Sequence, residues 1–451
     1  MTPHASVTHR SASVAYPFFL AAALLFLLQV VFGLLLAAQY VWPALLMNAL
    51  PFNFARASHL NLLVFWLLLG LMGASYYLVA DETDSELFSV PLAWANLAVL
   101  LVAGVGALGA YWFGHVAQGK PFTEAPEPFP LLIALGVVLF LVNLGVTLIR
   151  AKRWNAITFT LAFGMVGMAL LYLLDLPFHR NLTVDYYWWW WIIHLWVEGT
   201  WEIIASAIMA YLLLKLTNAD RTRLAKWLYA EVALVLFTGI VGIGHHYYWI
   251  GTPRYWLWWG AIFSALEPIP LVLMVVDTFL SMRHRRPEPA NHIAWYWLGG
   301  SAVGHLVGAG VWGFAMTLPQ INQWTHGTQV TASHGHFAFF GAFAMLVIAA
   351  MYYMVPRLRG IERYSLRRSL WAFWLMCIGM LGMVLAFTVA GVVQTYLTRI
   401  VGMDFMTVRT HYTSFWIFWV GVFGLIAFLP GVVAFLWDFL AGKPAASGAK
   451  A

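Results

Sequence analysis

Histidine and glutamate stand together at metal-ligand spacing inside strongly apolar stretches of this sequence. His194 and Glu198 are four residues apart, so on a helix they share one face. The adjacent pair His245 and His246 lies near the end of another apolar stretch. Three imidazoles with a nearby carboxylate suit a first-row transition metal, and the added oxygen donor favours iron over copper. These four residues therefore predict a non-haem metal site.

A second pattern, His334-Gly-His336, places two histidines on opposite sides of one helix, because residues two apart differ by about 200°. One helix can thereby ligate two haems, and His59, at the start of an earlier apolar stretch, is the natural second axial ligand of one of them. A lone histidine in such a helix is about as often a packing residue as a metal ligand. Sets at ligand spacing differ, because buried polar groups are costly in lipid and need partners.

The composition requires a membrane around these residues. Of 451 residues, 62% are hydrophobic and only 9% are charged, which excludes a soluble globular protein of this size. The 25 tryptophans fit aromatic belts at both membrane interfaces. Cys377 is the single cysteine, which excludes a disulfide framework, a thiolate metal cluster and a covalently attached c-type haem. The net charge of +6 is explained by the lysines and arginines of the loops described below, so it does not indicate nucleic acid binding.

Apolar runs of roughly 20 residues predict transmembrane helices. Twelve such runs occupy residues 17–39, 58–80, 90–112, 129–149, 157–175, 187–217, 225–250, 257–282, 293–318, 328–355, 366–394 and 410–437. No linker is long enough to separate domains. We therefore predict an all-α polytopic membrane protein that forms one transmembrane catalytic domain over residues 1–451, with short cytoplasmic tails at 1–16 and 438–451.

Lysine and arginine predict the orientation of these helices. Eighteen of the 24 lie at the two ends of the chain and in the even-numbered connections. Because cytoplasmic loops carry the excess of positive charge, both termini are predicted to be cytoplasmic. The second, sixth and tenth helices then run inward with their histidines near their starts, and the seventh runs outward with its pair at its last turn. All six histidines consequently lie at a similar depth, towards the outer face.

This arrangement of histidines resembles the haem–copper oxidase superfamily. Five local strings resemble the large subunit of cytochrome c-dependent nitric oxide reductases, and the likeness runs from about residue 16 to 405. They are HLWVEGTWE at 194–202, GHHYYWIG at 244–251, FSALEPIP at 263–270, THGTQVTASHGH at 325–336 and PRLRGIERY at 356–364.

The resemblance implies the fold of a haem–copper oxidase subunit I and a role for each histidine. His59 and His336 would ligate a low-spin haem b, and His334 the proximal side of a high-spin haem b. The non-haem iron would be held by His194, His245, His246 and Glu198.

Further carboxylates follow from the same resemblance. Glu202 and Glu267 match carboxylates near the dinuclear site, which the high-spin haem and the non-haem iron form together in the family. Intramembrane carboxylates usually mark proton relays. Glu202 lies two turns beyond His194 on roughly the same face, while a structural role beside Pro268 is the alternative for Glu267. Glu124 matches a calcium-binding position that bridges haem propionates. Arg56 is placed to neutralise a propionate. Both are interpreted as surface-loop residues, and for Arg56 a plain solvated role is the alternative.

The activity implied is a denitrification step, the reduction of two nitric oxide molecules to nitrous oxide and water. Electrons would come from a membrane-anchored cytochrome c subunit, because this chain has no soluble domain of its own to receive them and lacks the long N-terminal extension of the quinol-dependent relatives. The predicted location is the bacterial inner membrane, with the active site towards the periplasm. Nitric oxide, being apolar, can enter from the lipid.

Three other functions compete with this one. The main alternative is an oxygen reductase with copper in place of iron, but the redox-active tyrosine of oxygen reductases is missing from both places where it occurs, since Glu198 and Gly239 stand there. A twelve-helix transporter would need internal repeats and a mid-membrane site, and no repeat is found. A non-catalytic electron conduit would leave four of the six histidines unexplained.

The sequence also departs from the resemblance. The segment from Arg409 through the last helix matches poorly. His305 lies midway along the ninth predicted helix, where the family is apolar, and a packing histidine bonded to a neighbouring helix is the expectation.

Overall fold

The computed structural model describes residues 9–115, 120–177, 179–285, 291–360 and 364–441, which form helices joined by short connections. Eleven helices there are long and apolar enough to cross a membrane, and a twelfth span is bent by 92° before the short helix Pro319–Thr325. In chain order they are α1 Arg10–Val41, α2 Phe52–Thr83, α3 Val90–Trp112, α4 Phe129–Ala151, α5 Ala156–Asp175, α6 Leu182–Thr217, α7 Arg221–His246, α8 Tyr255–Ser281, α9 His292–Thr317, α10 Gln329–Arg359, α11 Leu366–Ile400 and α12 Phe405–Leu440. The predicted all-α bundle of twelve membrane helices is confirmed.

The helices reach further than the apolar runs suggested. Residues 10–14 form a short 3₁₀ turn at the start of α1, and helical structure at the end of α12 continues to Ala441. Part of each predicted tail is therefore helical and packed. The rest of those tails, residues 1–8 and 442–451, lies outside the described residues.

Three helices form the enclosed centre of the bundle, and they are the ones that carry His59, His194 and the His334–His336 pair. Of an apolar stretch of 18 residues in each span, 94% is buried in α2, 78% in α6 and 89% in α10, against 50% or less in the other single-helix spans. The peripheral helices turn large apolar side chains outward, as lipid contact requires.

Several of these helices widen or break beside the candidate site. A π-helical turn occupies Leu195–Trp201 in α6, another His305–Val311 in α9 and a third Phe339–Ala344 in α10. Such turns insert a residue into an α-helix and are frequent at functional sites. Helix α8 is interrupted at residues 265–268. Pro268 and Pro270 lack the backbone N–H groups that would continue the helix there.

Hydrogen bonds and ion pairs hold α2, α6 and α7 together at the end of the bundle that lies away from the candidate metal ligands. We call this end the inner end. Asp81 accepts hydrogen bonds from Tyr211 Oη at 2.8 Å and pairs with Lys215 Nζ at 2.7 Å. Glu82 pairs with both terminal nitrogens of Arg221, at 2.5 and 3.1 Å. These contacts fix the helix that carries His59 against the two that carry His194, His245 and His246.

Asp438 should be the most stability-sensitive carboxylate at this end of the bundle. It is fully buried in α12, where Arg368 and Ser369 of α11 and Tyr352 of α10 donate to it. Because removing one partner of a buried pair leaves an uncompensated charge, we expect Asp438→Ala to destabilise the protein by about 3–5 kcal/mol. A lower thermal midpoint of the purified, detergent-solubilised protein would report this loss.

The matched control is Asp84→Ala, which removes an exposed aspartate that pairs with Arg153 and His9. Exposed pairs contribute little, so the thermal midpoint should hardly move. Equal losses in both variants would show that the buried site is not special.

Candidate metal centre

Four predicted donors, His194, Glu198, His245 and His246, meet at one point. Each offers one ligand atom, and these atoms all lie within 4.8 Å of one another. Glu198 Oε2 is 3.4 Å from His194 Nδ1 and 3.8 Å from His245 Nε2, while Oε1 is 3.4 Å from His246 Nε2. Donors of one ion, each at about 2.0–2.2 Å from it, are separated by distances of this size. The group therefore fits a metal ion.

Local helix geometry produces this convergence. His194 is the last residue before the π-helical turn of α6, and Glu198 lies inside that turn. His245 and His246 end α7 in a 3₁₀ turn, with ring centroids 4.1 Å apart. Consecutive residues of a 3₁₀ turn point about 120° apart, yet the two rings lie side by side and both reach the donor group.

A second layer of contacts orients the histidines. His245 Nδ1 donates to Gly242 O at 3.0 Å and lies 2.6 Å from Ser264 Oγ, which leaves Nε2 facing the site. The ring of Trp190 stacks on His246 with centroids 4.3 Å apart. Contacts of this kind fix the tautomer and ring orientation of metal-ligating histidines. Neither nitrogen of the buried His194 has a hydrogen-bond partner, so one of them is free to bind a metal ion.

Glu267 belongs to the surroundings of this centre. It lies in the break of α8, and its Oε1 is 3.6 Å from His194 Nε2. It also lies within electrostatic range of Glu198 and Glu202. The sequence prediction of a carboxylate near the metal ligands agrees with this position, and its role in proton transfer stays a prediction.

Glu202 lies elsewhere than the α-helical spacing implied. It is outside the donor group, and its Oε2 is 3.4 Å from Nε2 of His305 in α9. The π-helical turn between Glu198 and Glu202 changes the direction of the later residue, since one extra residue enters the turn. This contact places His305 beside a carboxylate of a neighbouring helix, while its hydrogen bond, from Nδ1, goes to Ser301 O of its own helix.

The pair His59 and His336 faces across the contact of α2 with α10. Their rings lie 6.1 Å apart between centroids and within 26° of parallel. His59 Nδ1 donates to Gln29 O at 2.9 Å, and His336 Nδ1 donates to Ala332 O at 2.8 Å. Both Nε2 atoms stay free, and the distance between the two rings leaves room for one metal ion at about 2 Å from each Nε2. The two residues fit the axial ligands of a haem.

His334 points to the other side of α10, as its spacing from His336 predicts. Its Nδ1 donates to Gly308 O of α9 at 3.1 Å, which again leaves Nε2 free. A Cβ on Gly313 would come within 3.0 Å of this ring, and a Cβ on Gly33 within 2.8 Å of the His59 ring. Glycine at these positions lets a neighbouring helix approach each histidine closely.

Glu124 and Arg56 lie together, but the interpretation of both as surface-loop residues is wrong. Arg56 is in the first turns of α2, and Glu124 is only 1% exposed. Glu124 Oε2 accepts from Asn61 Nδ2 at 2.8 Å, while Oε1 has no hydrogen-bond partner and lies 4.0 Å from Arg56 Nη1. Burial raises the pKa of the Glu124 carboxyl, against the opposing effects of Asn61 and Arg56. An unpaired buried oxygen of this kind needs a cation or a proton.

Two polar residues near the centre were not singled out by their sequence pattern. Ser264 orients His245. The sequence feature that could have identified Ser264 is its position inside the string FSALEPIP at 263–270. Glu231 is a buried carboxylate of α7. Its signal was stronger, because a lone ionisable residue inside an apolar span indicates function by default.

The chain matches the cytochrome c and quinol oxidase polypeptide I family over residues 13–441. It is 42% identical over 415 residues to a nitric oxide reductase subunit of Stutzerimonas stutzeri, and the alignment covers 88% of this chain and 87% of that protein. Identity to the Cbb3-type cytochrome c oxidase subunit CcoN1 of the same organism is 24% over 418 residues, covering 82% and 81%.

A solved haem–copper terminal oxidase dimer has the same fold. The TM-score is 0.78, with 17% sequence identity, and the match covers 96% of this chain and 84% of that one. At this identity the likeness concerns the architecture alone. It confirms the predicted subunit I-like bundle.

Proposed function

This chain is an oxidoreductase that belongs to the cytochrome c and quinol oxidase polypeptide I family, together with the Stutzerimonas stutzeri nitric oxide reductase subunit, and we propose that it is the catalytic subunit of a bacterial nitric oxide reductase. It would reduce two nitric oxide molecules to nitrous oxide and water. The observation that carries this proposal is the carboxylate of Glu198 among three imidazoles. An oxygen donor in this set favours non-haem iron over copper.

The donor sets support a different cofactor for each group of histidines. His194, His245, His246 and Glu198 would hold the non-haem iron, His59 and His336 a low-spin haem b, and His334 a high-spin haem b. When bound, the haem iron and the non-haem iron together supply the redox chemistry that joins two nitrogen atoms.

The residues of this chain have three tasks in that reaction. Glu198 offsets positive charge at the non-haem site, where three neutral imidazoles would not. Ser264 and the Gly242 carbonyl hold His245 with its free nitrogen towards the site. Glu267, in the break of α8, places a second carboxyl beside His194 and can hold a proton there. The apolar helices around them exclude bulk water and admit nitric oxide from lipid.

A membrane-anchored cytochrome c subunit would supply the electrons from the periplasmic side. His59 is close to the start of α2, so the low-spin haem site lies near the outer end, where such a partner would dock. The excess of lysine and arginine in the predicted cytoplasmic connections supports an inner-membrane location with both termini in the cytoplasm.

The deciding experiment is anaerobic turnover of the purified, haem-loaded complex with nitric oxide and a reduced electron donor. We expect nitrous oxide to form, with iron and no copper in the metal analysis beyond the haem content. A complex that consumes oxygen briskly, contains copper and forms no nitrous oxide would instead be an oxygen reductase.

Calcium is proposed at Glu124 only together with the haems and the partner. A calcium ion takes six to eight oxygen ligands, and Glu124 supplies one carboxylate, so haem propionates and the partner must complete the site. We expect a calcium chelator to lower the thermal midpoint of the whole complex, measured by differential scanning fluorimetry. The midpoint of a Glu124→Gln complex should not respond to the chelator. A chelator effect of equal size in both complexes would place the ion elsewhere.

A further inference from the structure

Three ionisable side chains from three helices cluster beside the donor group without belonging to it. They are Glu202 of α6, Glu231 of α7 and His305 of α9, and we call them the inner cluster. His305 is 2% exposed, and its Nδ1 donates to Ser301 O at 3.0 Å. Its Nε2 has no hydrogen-bond partner and faces Glu202 Oε2 at 3.4 Å.

Glu231 is the innermost member. It is 2% exposed, and Ser206, one turn beyond Glu202 in α6, donates its hydroxyl to Glu231 Oε1 at 2.9 Å. The backbone N–H of Leu271, just after the break of α8, also lies near this carboxyl. Glu231 Oε2 has no partner. The cluster thus draws its side chains from three helices, and two of its buried polar atoms, His305 Nε2 and Glu231 Oε2, have no hydrogen-bond partner.

The charges of these groups must be balanced by protons. Two carboxylates and one neutral imidazole carry a charge of −2, which is costly in the interior of a membrane protein. Two bound protons make the cluster neutral, for example with a protonated His305 beside Glu202 and a protonated Glu231. No lysine or arginine pairs with any of these three side chains in the described residues, so protons are the available counter-charge.

The cluster adjoins the metal centre. Glu202 is one turn from Glu198 in α6, and Glu267 lies within electrostatic range of Glu198, Glu202 and Glu231. Towards the inner end, one turn before Glu231, Trp227 Nε1 donates to the partly exposed Asp277 at 3.1 Å.

We propose that Glu202, His305 and Glu231 form a proton-holding site on the inner side of the metal centre, which releases protons towards the centre through Glu202. Only protons move: each one released is replaced from the aqueous phase, and the site gains or loses no electrons. This use of the site rests on the proposed function, because nitric oxide reduction consumes two protons for each nitrous oxide formed. His305 and Glu231 act through Glu202 and touch no substrate.

The test measures proton uptake when the metal centres of the purified complex are reduced without any substrate. A pH-indicator dye in weak buffer reports the number of protons taken up. We expect Glu231→Gln and His305→Leu to take up fewer protons than the wild type at unchanged haem content. Ser206→Ala is the matched control, since it removes a hydrogen bond to Glu231 but no ionisable group, and it should keep the wild-type number.

Two further readouts separate proton holding from a structural role. The infrared difference spectrum of reduced minus oxidised complex should lose a protonated-carboxyl band in Glu231→Gln and regain one in Glu231→Asp. Turnover of Glu231→Gln should fall about tenfold, which is less than the loss expected for a group that protonates the reactant directly. The solvent isotope effect on this turnover should be larger than in the wild type.

Wild-type proton uptake and isotope effect in haem-loaded Glu231→Gln and His305→Leu would overturn the proposal. The proposed function fails differently. A wild-type complex that forms no nitrous oxide would contradict that function, while proton uptake on reduction, which needs no gaseous substrate, would still report on the inner cluster.

Discussion

Glu198→Ala is expected to abolish nitrous oxide formation while both haems remain bound. Replacing residues that merely orient metal ligands already lowers metal affinity or activity by about 10–100-fold, so removal of a direct ligand should exceed that range. Glu198 is the carboxylate nearest all three imidazoles, at 3.4, 3.8 and 3.4 Å. Non-haem iron should be lost or weakly held. Metal analysis, optical haem spectra and anaerobic gas measurement on the same preparation would test this.

The control is Glu127→Ala, which removes an exposed glutamate outside the donor group. It should keep full iron content and activity. A Glu198→Ala complex that retained non-haem iron and normal nitrous oxide production would show that Glu198 is not a ligand, and it would remove the observation on which the proposed function rests.

The donor group could be predicted from sequence because its geometry is simple. The spacing of His194 and Glu198 fixes one shared face of one helix, and membrane topology brings the end of α7 to the same depth. His334 and His336 likewise had to point apart on any regular helix. Each of these predictions needs only helical periodicity and the direction in which a span crosses the membrane.

Features that depend on departures from regular helices could not be predicted. Glu202 turns towards His305 because a π-helical turn precedes it, and no residue pattern in 195–201 announces that turn. Glu124 is buried because its loop folds back against Asn61 of α2, a contact between residues 63 positions apart. The inner cluster needs α6, α7 and α9 to meet, which requires tertiary packing that periodicity does not describe.

His336→Ala and His334→Ala are expected to remove different haems, although the two residues are neighbours in the sequence. His336 pairs with His59 across α2 and α10, whereas His334 is oriented by Gly308 of α9 on the opposite side. His336→Ala should therefore lose the low-spin haem signal and keep the high-spin one. His334→Ala should show the reverse. Electron paramagnetic resonance and optical spectra, with haem quantified per protein, distinguish the two outcomes.

The kinetic consequences should differ as well. With the low-spin site empty, turnover driven by a reduced cytochrome c should fall by at least about a hundredfold, since loss of an axial ligand exceeds the 10–100-fold effect of disturbing its orientation. His334→Ala should be inactive with any donor, because its site lies within electrostatic range of Glu198. His326→Ala is the control, since the His326 ring stacks on Trp249 and is not a proposed ligand of either haem. Equal loss of both haems in both variants would mean that the two residues stabilise α10 as a whole, and the assignment of one haem to each face would fail.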